Sequence, residues 1–247
     1  MKRKDFIKNS LLIGAGWSVL PSLSFQSSNE TYTRSQLIGK GNPDIVGDSY
    51  TSKMHRATKS ALHLMSEAAA SENIKIEVVS AFRSFQRQKE IFEGKYERFT
   101  AEGLRPLEAI EKIIAYSTIP GTSRHHWGTD IDIIDANATR PSSLLVAKNF
   151  HGKGPFCKLK EWLNVHAESF GFFEVYTDNP QRKGFEYEPW HFSYAEVSKP
   201  MLAAYRNLDL KAVFQEEKIK GSTHFTDDFI ARYRKQNILD INPKLLT

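Results

Sequence analysis

The stretch Ser123–Ile133, SRHHWGTDIDI, places two histidines, a glycine and two aspartates within eleven residues. A buried core does not use such a density of titratable groups, because each costs several kcal/mol to bury without a partner. The stretch is therefore a solvated turn or a site. Its second half, TDIDII (Thr129–Ile134), alternates polar and apolar residues and predicts a strand. On that strand Asp130 and Asp132 share one face, and Ile131 and Ile133 the other. The isoleucines can then be buried while the aspartates face a cleft. His125 and His126 fall in the loop that feeds the strand, and Gly128 lets that loop turn tightly. A histidine and a carboxylate held there make part of a metal site. A catalytic zinc takes three protein ligands and keeps one position open for water.

The missing groups occur downstream in YEPWHFSY (Tyr187–Tyr194), where Glu188 and His191 sit three apart. Pro189 biases Glu188 toward extended backbone. In a flat strand, positions three apart face opposite sides, so the chain has to twist or bulge for both to reach one site. His191 then serves as a third ligand, and Glu188 as a general base taking a proton from metal-bound water. The metal lowers the pKa of that water, so a carboxylate suffices near neutral pH.

Around these motifs the chain mixes helical and strand patterns. TSKMHRATKSALHLMSEAAA (51–70) spaces Met54, Ala57, Ala61, Leu64, Met65 and Ala68 as a helix. Ile74, Ile76 and Val78 alternate as a strand, and helices are predicted in 84–99 and in 105–117, the latter with Pro106 in its first turn. Residues 156–171 form an amphipathic helix carrying Phe156, Leu159, Trp162, Leu163, His166 and Phe170, ending at Gly171. FFEVY (172–176) and WHFSY (190–194) read as strands, and DDFIARYRKQNIL (227–239) as a helix. No internal repeat or heptad occurs. Without strict strand–helix alternation, the pattern predicts an α+β fold: a small antiparallel sheet flanked by helices, with the zinc site in a cleft on the sheet.

Three segments now carry a resemblance. Ser123, His125, Gly128 and Asp132 fit Ser-x-His-x-x-Gly-x-x-x-Asp, and Glu188 and His191 fit Glu-x-x-His. Upstream, SAFRSFQRQ (Ser80–Gln88) is similar to a Ser-Gly-Tyr-Arg-Ser segment. Together they resemble the zinc D-alanyl-D-alanine carboxypeptidases of the VanY type, over roughly Val46 to Val197. The resemblance implies zinc on His125, Asp132 and His191, with Glu188 as base and Arg83 reaching the substrate beside the metal. Ser123, Gln88 and Trp190 are the expected substrate-binding neighbours. It further implies a peptidoglycan stem peptide as substrate, cut at its D-alanyl-D-alanine end. A D,D-dipeptidase, a peptidoglycan endopeptidase and a non-catalytic zinc module of the same fold are the alternatives. Two departures stand out. The family usually has a small apolar residue where this chain has Asp130, expected here to orient a neighbour, and the His126–Trp127 pair differs from the VanY form. Trp127 reads as packing. His55, His63, His151, His166 and His224 lack partners at ligand spacing.

Composition bounds the rest. The chain has 247 residues, 40% hydrophobic and 26% charged, which suits one globular domain with extensions. Of its formal charge of +5, Lys2, Arg3, Lys4 and Lys8 against Asp5 contribute 4 − 1 = +3, leaving +2 for the remainder. No basic block recurs, which argues against nucleic acid as a partner. The single cysteine, Cys157, excludes an internal disulfide and reads as a small buried hydrophobe. Residues 1–24 read as an export signal: a basic start, the apolar run LLIGAGWSVL and small residues before a cleavage point after Ser24. RKDFIK (Arg3–Lys8) resembles a twin-arginine signal with lysine in second place, and no cysteine follows for a lipid anchor. The apolar run is too short to span a bilayer comfortably, so an exported, periplasmic or extracytoplasmic protein without a stable membrane span is expected. Residues 25–47 read as linker, 48–208 as the peptidase domain and 209–247 as a charged helical extension.

Overall fold

The computed structural model describes residues 32–246; the expected export signal and the first part of the expected linker lie outside the described residues. A four-stranded antiparallel sheet holds β3 (Ile76–Ser80), β4 (Asp130–Asp135), β6 (His191–Tyr194) and β5 (Phe172–Glu174), in that spatial order. Two short strands, β1 (Ile45–Val46) and β2 (Met54–His55), pair separately. Helices α1 (Arg34–Leu37), α2 (Arg56–Ala70), α3 (Phe85–Ala101), α4 (Pro106–Ile114), α5 (Cys157–His166), α6 (Ala195–Tyr205), α7 (Leu210–Glu216) and α8 (Asp227–Tyr233) surround them. This is the α+β class that the sequence predicts. Among the described residues no helix is long and apolar enough to cross a membrane.

Register explains how the sheet serves a site. Asp132 pairs with His191, Ile131 with Phe192, and Asp130 with Ser193. Paired residues share a face, so the polar set Asp130, Asp132, His191 and Ser193 projects to one side. The apolar set Ile131, Ile133 and Phe192 projects to the other. There it packs on Leu62 and Met65 of α2 and Leu159 and Leu163 of α5. Ile76 and Val78 of the edge strand β3 pack against the same cluster. On the polar side, α3, α4, α6, α7 and α8 close over a second core that includes Phe92, Ile110, Met201, Val213 and Tyr233.

Several expectations change. The helix expected over 51–70 starts at Arg56, where His55 Nδ1 accepts from the Ala57 N–H at 3.2 Å. Its buried face is Thr58, Leu62, Met65 and Ala69, and Leu64 is exposed. Leu62 and Leu64 start two competing apolar stripes, and the sheet accepts the first. The expected linker is not one over its described part: Leu37 and Ile38 are buried in the second core, and the Trp127 indole donates to the Leu37 carbonyl at 3.0 Å. The expected C-terminal extension is part of that core too, through Leu210, Phe214, Phe229, Ile241 and Leu245. Cys157 is only half-buried, at the start of α5, where its thiol lies 3.3 Å from Glu161 Oε1. It is not the buried hydrophobe expected. Helix α6 was not legible because Pro200 stands inside it.

Candidate active site

His125 lies in a turn of 3-10 helix (Arg124–Trp127) just ahead of β4. Gly128 ends that turn at φ 69°, a left-handed conformation, and a Cβ there would come within 2.7 Å of the His55 backbone nitrogen. Only glycine meets both conditions. The His125 Nδ1–H donates to the Ala81 carbonyl at 2.8 Å, which leaves Nε2 free, 3.6 Å from Asp132 Oδ2. Burial pushes the His125 pKa down to about 4, so the ring is neutral and able to ligate.

His191 completes the group. Glu188 is not in the strand; it sits in a turn closed by the His191 N–H donating to the Glu188 carbonyl at 3.1 Å. That turn, rather than a bulge within a strand, brings both side chains to one side, with Glu188 Oε2 2.8 Å from His191 Nδ1. The ligand-type atoms of His125, Asp132 and His191 all lie within 4.8 Å of one another. The two imidazoles are 4.7 Å apart, and Asp132 Oδ1 is buried with no hydrogen-bond partner. An unpartnered buried carboxylate oxygen beside two histidines is costly without a cation, and two imidazoles with one carboxylate are a zinc-type donor set. The residues fit the metal.

Asp130, expected to orient a neighbour, lies hydrogen-bonded to His191. It is fully buried. Its Oδ2 accepts from Arg124 Nε at 2.9 Å and from His191 Nε2 at 2.9 Å, and its Oδ1 from Ser193 Oγ at 2.6 Å and Thr129 Oγ1 at 2.8 Å. Burial alone would raise its pKa, but the Arg124 guanidinium and the His191 hydrogen bond hold the carboxyl well below the usual range. For His191, burial works downward, yet the hydrogen bonds to Asp130 and Glu188 carry its pKa up to about 10. Both ring nitrogens are then protonated, Nε2 toward Asp130 and Nδ1 toward Glu188; Nδ1, 3.9 Å from Asp132 Oδ1, is the nitrogen that would ligate a metal, by giving up its proton as the metal binds. Asp130→Asn is expected to weaken zinc binding about 10- to 100-fold, the usual scale for losing a partner of a ligating histidine. A competition titration with a chromophoric chelator reads it.

The other expected residues divide. Arg83 lines the cavity, its Nη1 bonded to Gln88 Oε1 at 3.0 Å and its Nη2 to Ser80 Oγ at 3.2 Å. Gln88, expected to touch substrate, is fully buried and does not line the cavity. Its other amide end donates to the Thr118 carbonyl at 2.7 Å, so it fixes Arg83 against the 117–118 segment. Ser123 and Trp190 both line the cavity, Trp190 packed on Phe150. His126 is a buried clamp: its Nε2 accepts from the Gly121 N–H at 3.1 Å, so Nδ1 donates to the Arg83 carbonyl at 2.6 Å. Arg124 and the wall tyrosines Tyr116, Tyr176 and Tyr187 were not singled out from the sequence. Arg124 had a signal, lying inside the opening stretch six residues before Asp130. The tyrosines had none. The cavity holds about 590 Å³, with His125, Asp132, Glu188 and His191 among its lining residues.

An α+β domain with a His–Asp–His group and a further carboxylate beside it in a cleft has the design of a metal-dependent hydrolase. Residues 51–197 match the VanY family, described as D-alanyl-D-alanine carboxypeptidase. The chain belongs to that family. It is 26% identical over 153 residues to a D-alanyl-D-alanine carboxypeptidase of Enterococcus faecalis, covering 62% of this chain and 52% of the relative. It is 28% identical over 159 residues to the Bacillus subtilis carboxypeptidase-type protein YodJ, covering 64% and 52%. The chain thus spans about half the length of these curated relatives. The solved structure of VanYB in complex with D-alanine-D-alanine is similar in fold, with a TM-score of 0.50 and 21% identity, covering 71% of this chain and 90% of that one.

Proposed function

We propose that this chain is a zinc-dependent carboxypeptidase that removes the terminal D-alanine of peptidoglycan stem peptides, outside the cytoplasm. The observation that carries this reading is the convergence of His125, Asp132 and His191 within 4.8 Å, with Glu188 2.8 Å from His191 and Arg83 on the same cavity wall. Zinc held there supplies a Lewis acid and acidifies water. Glu188 is the base: its carboxylate lies beside the ligand group, 2.8 Å from His191 Nδ1, and would take a proton from water and return it to the leaving amine. Asp130 holds His191 through Nε2, so Nδ1 is the nitrogen that would bind the metal once its proton is released. Arg83 is held by Gln88 and Ser80, and each terminal nitrogen retains a second hydrogen for the peptide. A planar fork suits a carboxylate or a developing oxyanion, which lysine does not match. The relative from Enterococcus faecalis and the D-alanine-D-alanine bound to VanYB support this substrate class.

The deciding experiment compares free-acid and C-terminally amidated pentapeptides ending in D-Ala-D-Ala, with products identified by mass. Release of D-alanine from the free acid alone is expected. Arg83→Lys should then act mainly through KM if the guanidinium grips the terminal carboxylate, or through kcat if it meets the oxyanion. Equal cleavage of both peptides would move the assignment to an endopeptidase, and an intact pentapeptide with free D-Ala-D-Ala split into two D-alanines to a D,D-dipeptidase.

A further inference from the structure

The family match ends at residue 197, yet the chain beyond it is bonded to both walls of the cavity. One wall is 116–123, which contributes Tyr116, Ser117, Thr118 and Ser123; the other is 176–188, which contributes Tyr176, Tyr187 and Glu188. The first wall contains no strand or α-helix, so its backbone groups need partners from elsewhere. Gln88 bonds the Thr118 carbonyl, His126 and Tyr205 bond Gly121, and Tyr233, fully buried at the end of α8, serves Ile119 and Thr122. Its hydroxyl accepts from the Ile119 N–H at 3.1 Å and lies 2.8 Å from Thr122 Oγ1. Thr122 spends its own hydrogen on the Ile119 carbonyl, so Tyr233 is the donor to Thr122. Asn237 adds a bond from its amide to the Ile114 carbonyl at 3.2 Å, just before this wall.

The same short segment then reaches the second wall. Residues 234–238 form a π-helical turn, and the Gln236 carbonyl lies so close to Gly184 that a Cβ there would come within 1.8 Å of it. Asp240 follows: its carbonyl accepts from Arg182 Nε at 3.0 Å, and its Oδ2 from the Lys183 N–H at 2.5 Å. The Asn242 N–H bonds the Val175 carbonyl at 2.9 Å. Ten residues thus bridge two loops that also meet directly where the Glu186 N–H donates to the Ala115 carbonyl at 3.4 Å.

We propose that residues 233–242 are a brace that fixes the separation of the two cavity walls, with Tyr233 and Asp240 as positioning residues for the bound peptide. The peptide part rests on reading the cavity as the substrate site. Walls held in place before binding spare the ligand the cost of ordering them. Since walls touch the peptide equally in ground and transition states, the brace acts on KM.

The test uses the zinc-loaded protein and the variants Tyr233→Phe and Asp240→Ala, with Ile230→Val as a core control in the same helix that removes no hydrogen bond to either wall. Hydrogen exchange of the wall amides and steady-state kinetics on the D-Ala-D-Ala pentapeptide are both read. Tyr233→Phe should speed exchange at 119–122 and Asp240→Ala at 182–185, each up to about tenfold, the equivalent of one lost hydrogen bond. KM should rise by about the same factor, with kcat within about twofold and zinc content unchanged. Wall exchange no faster than in Ile230→Val would overturn the brace, and faster exchange with KM unmoved would overturn its role toward the peptide. If the unaltered protein leaves the pentapeptide intact, the carboxypeptidase reading fails, and the exchange comparison still decides whether the brace exists.

Discussion

Glu188→Gln should keep its zinc and its fold and lose about 10²-fold or more in kcat, the scale for removing a general acid–base group. Glutamine has the same shape and keeps an oxygen that can lie near His191 Nδ1, where Glu188 Oε2 sits at 2.8 Å. The backbone contacts are untouched, since the residue 188 N–H still donates to the Tyr176 carbonyl at 3.1 Å and its carbonyl still closes the turn to His191. What the amide cannot do is accept and return a proton at neutral pH. Zinc analysis, a circular dichroism spectrum and kcat on the free-acid pentapeptide check the three parts separately. Retained kcat with zinc bound would put the base elsewhere. Asp130 is not the substitute: both its oxygens are committed, to Arg124, His191, Ser193 and Thr129. An effect on KM with kcat unchanged would instead make Glu188 a binding group.

How far this site was legible in the sequence depends on what kind of spacing encodes each part. His125, Gly128 and Asp132 fall in one stretch whose geometry is local: a turn, a glycine with positive φ, then a strand of period two. Such order survives translation from sequence to structure because few other conformations satisfy it. Glu188 and His191 were legible as a pair, but the sequence pointed to a twisted or bulged strand where the chain makes a turn. A Pro at 189 signals extended backbone ahead of it and does not say how the chain leaves. Gln88 was placed among the substrate ligands because it follows Arg83 in the motif; its burial depends on α3 packing onto the 117–118 segment, a contact 29 to 30 residues away. The cavity walls were least legible. Tyr233 and Asp240 act on loops more than 50 residues distant, and nothing in a charged C-terminal pattern announces that. The fold class followed from alternating patterns in β3 and β4, whereas the buried face of α2 did not, because Leu62 and Leu64 offer rival stripes.

His191→Ala is expected to have the other large effect: zinc lost on dialysis, and pentapeptide cleavage reduced to background. A zinc held by His125 and Asp132 alone has two protein ligands, one short of the three that catalytic zinc sites use. The residue also organises its neighbours. It stands between Asp130, Asp132 and Glu188 at 2.9, 3.9 and 2.8 Å, so its removal leaves three carboxylates facing one another with less positive charge among them. Asp130 keeps Arg124 at 2.9 Å, which limits the loss of stability and makes a folded variant obtainable. The contrast with Asp130→Asn is the informative one. That variant should weaken zinc while retaining a complete ligand set, so added zinc should restore its cleavage. Added zinc should not restore His191→Ala, because the missing ligand is not replaced by mass action at attainable concentrations. Metal content after dialysis, followed by activity across a zinc titration, separates the two cases. Full zinc occupancy in His191→Ala would remove His191 from the ligand set and with it the pairing of β4 and β6 as the platform for the metal.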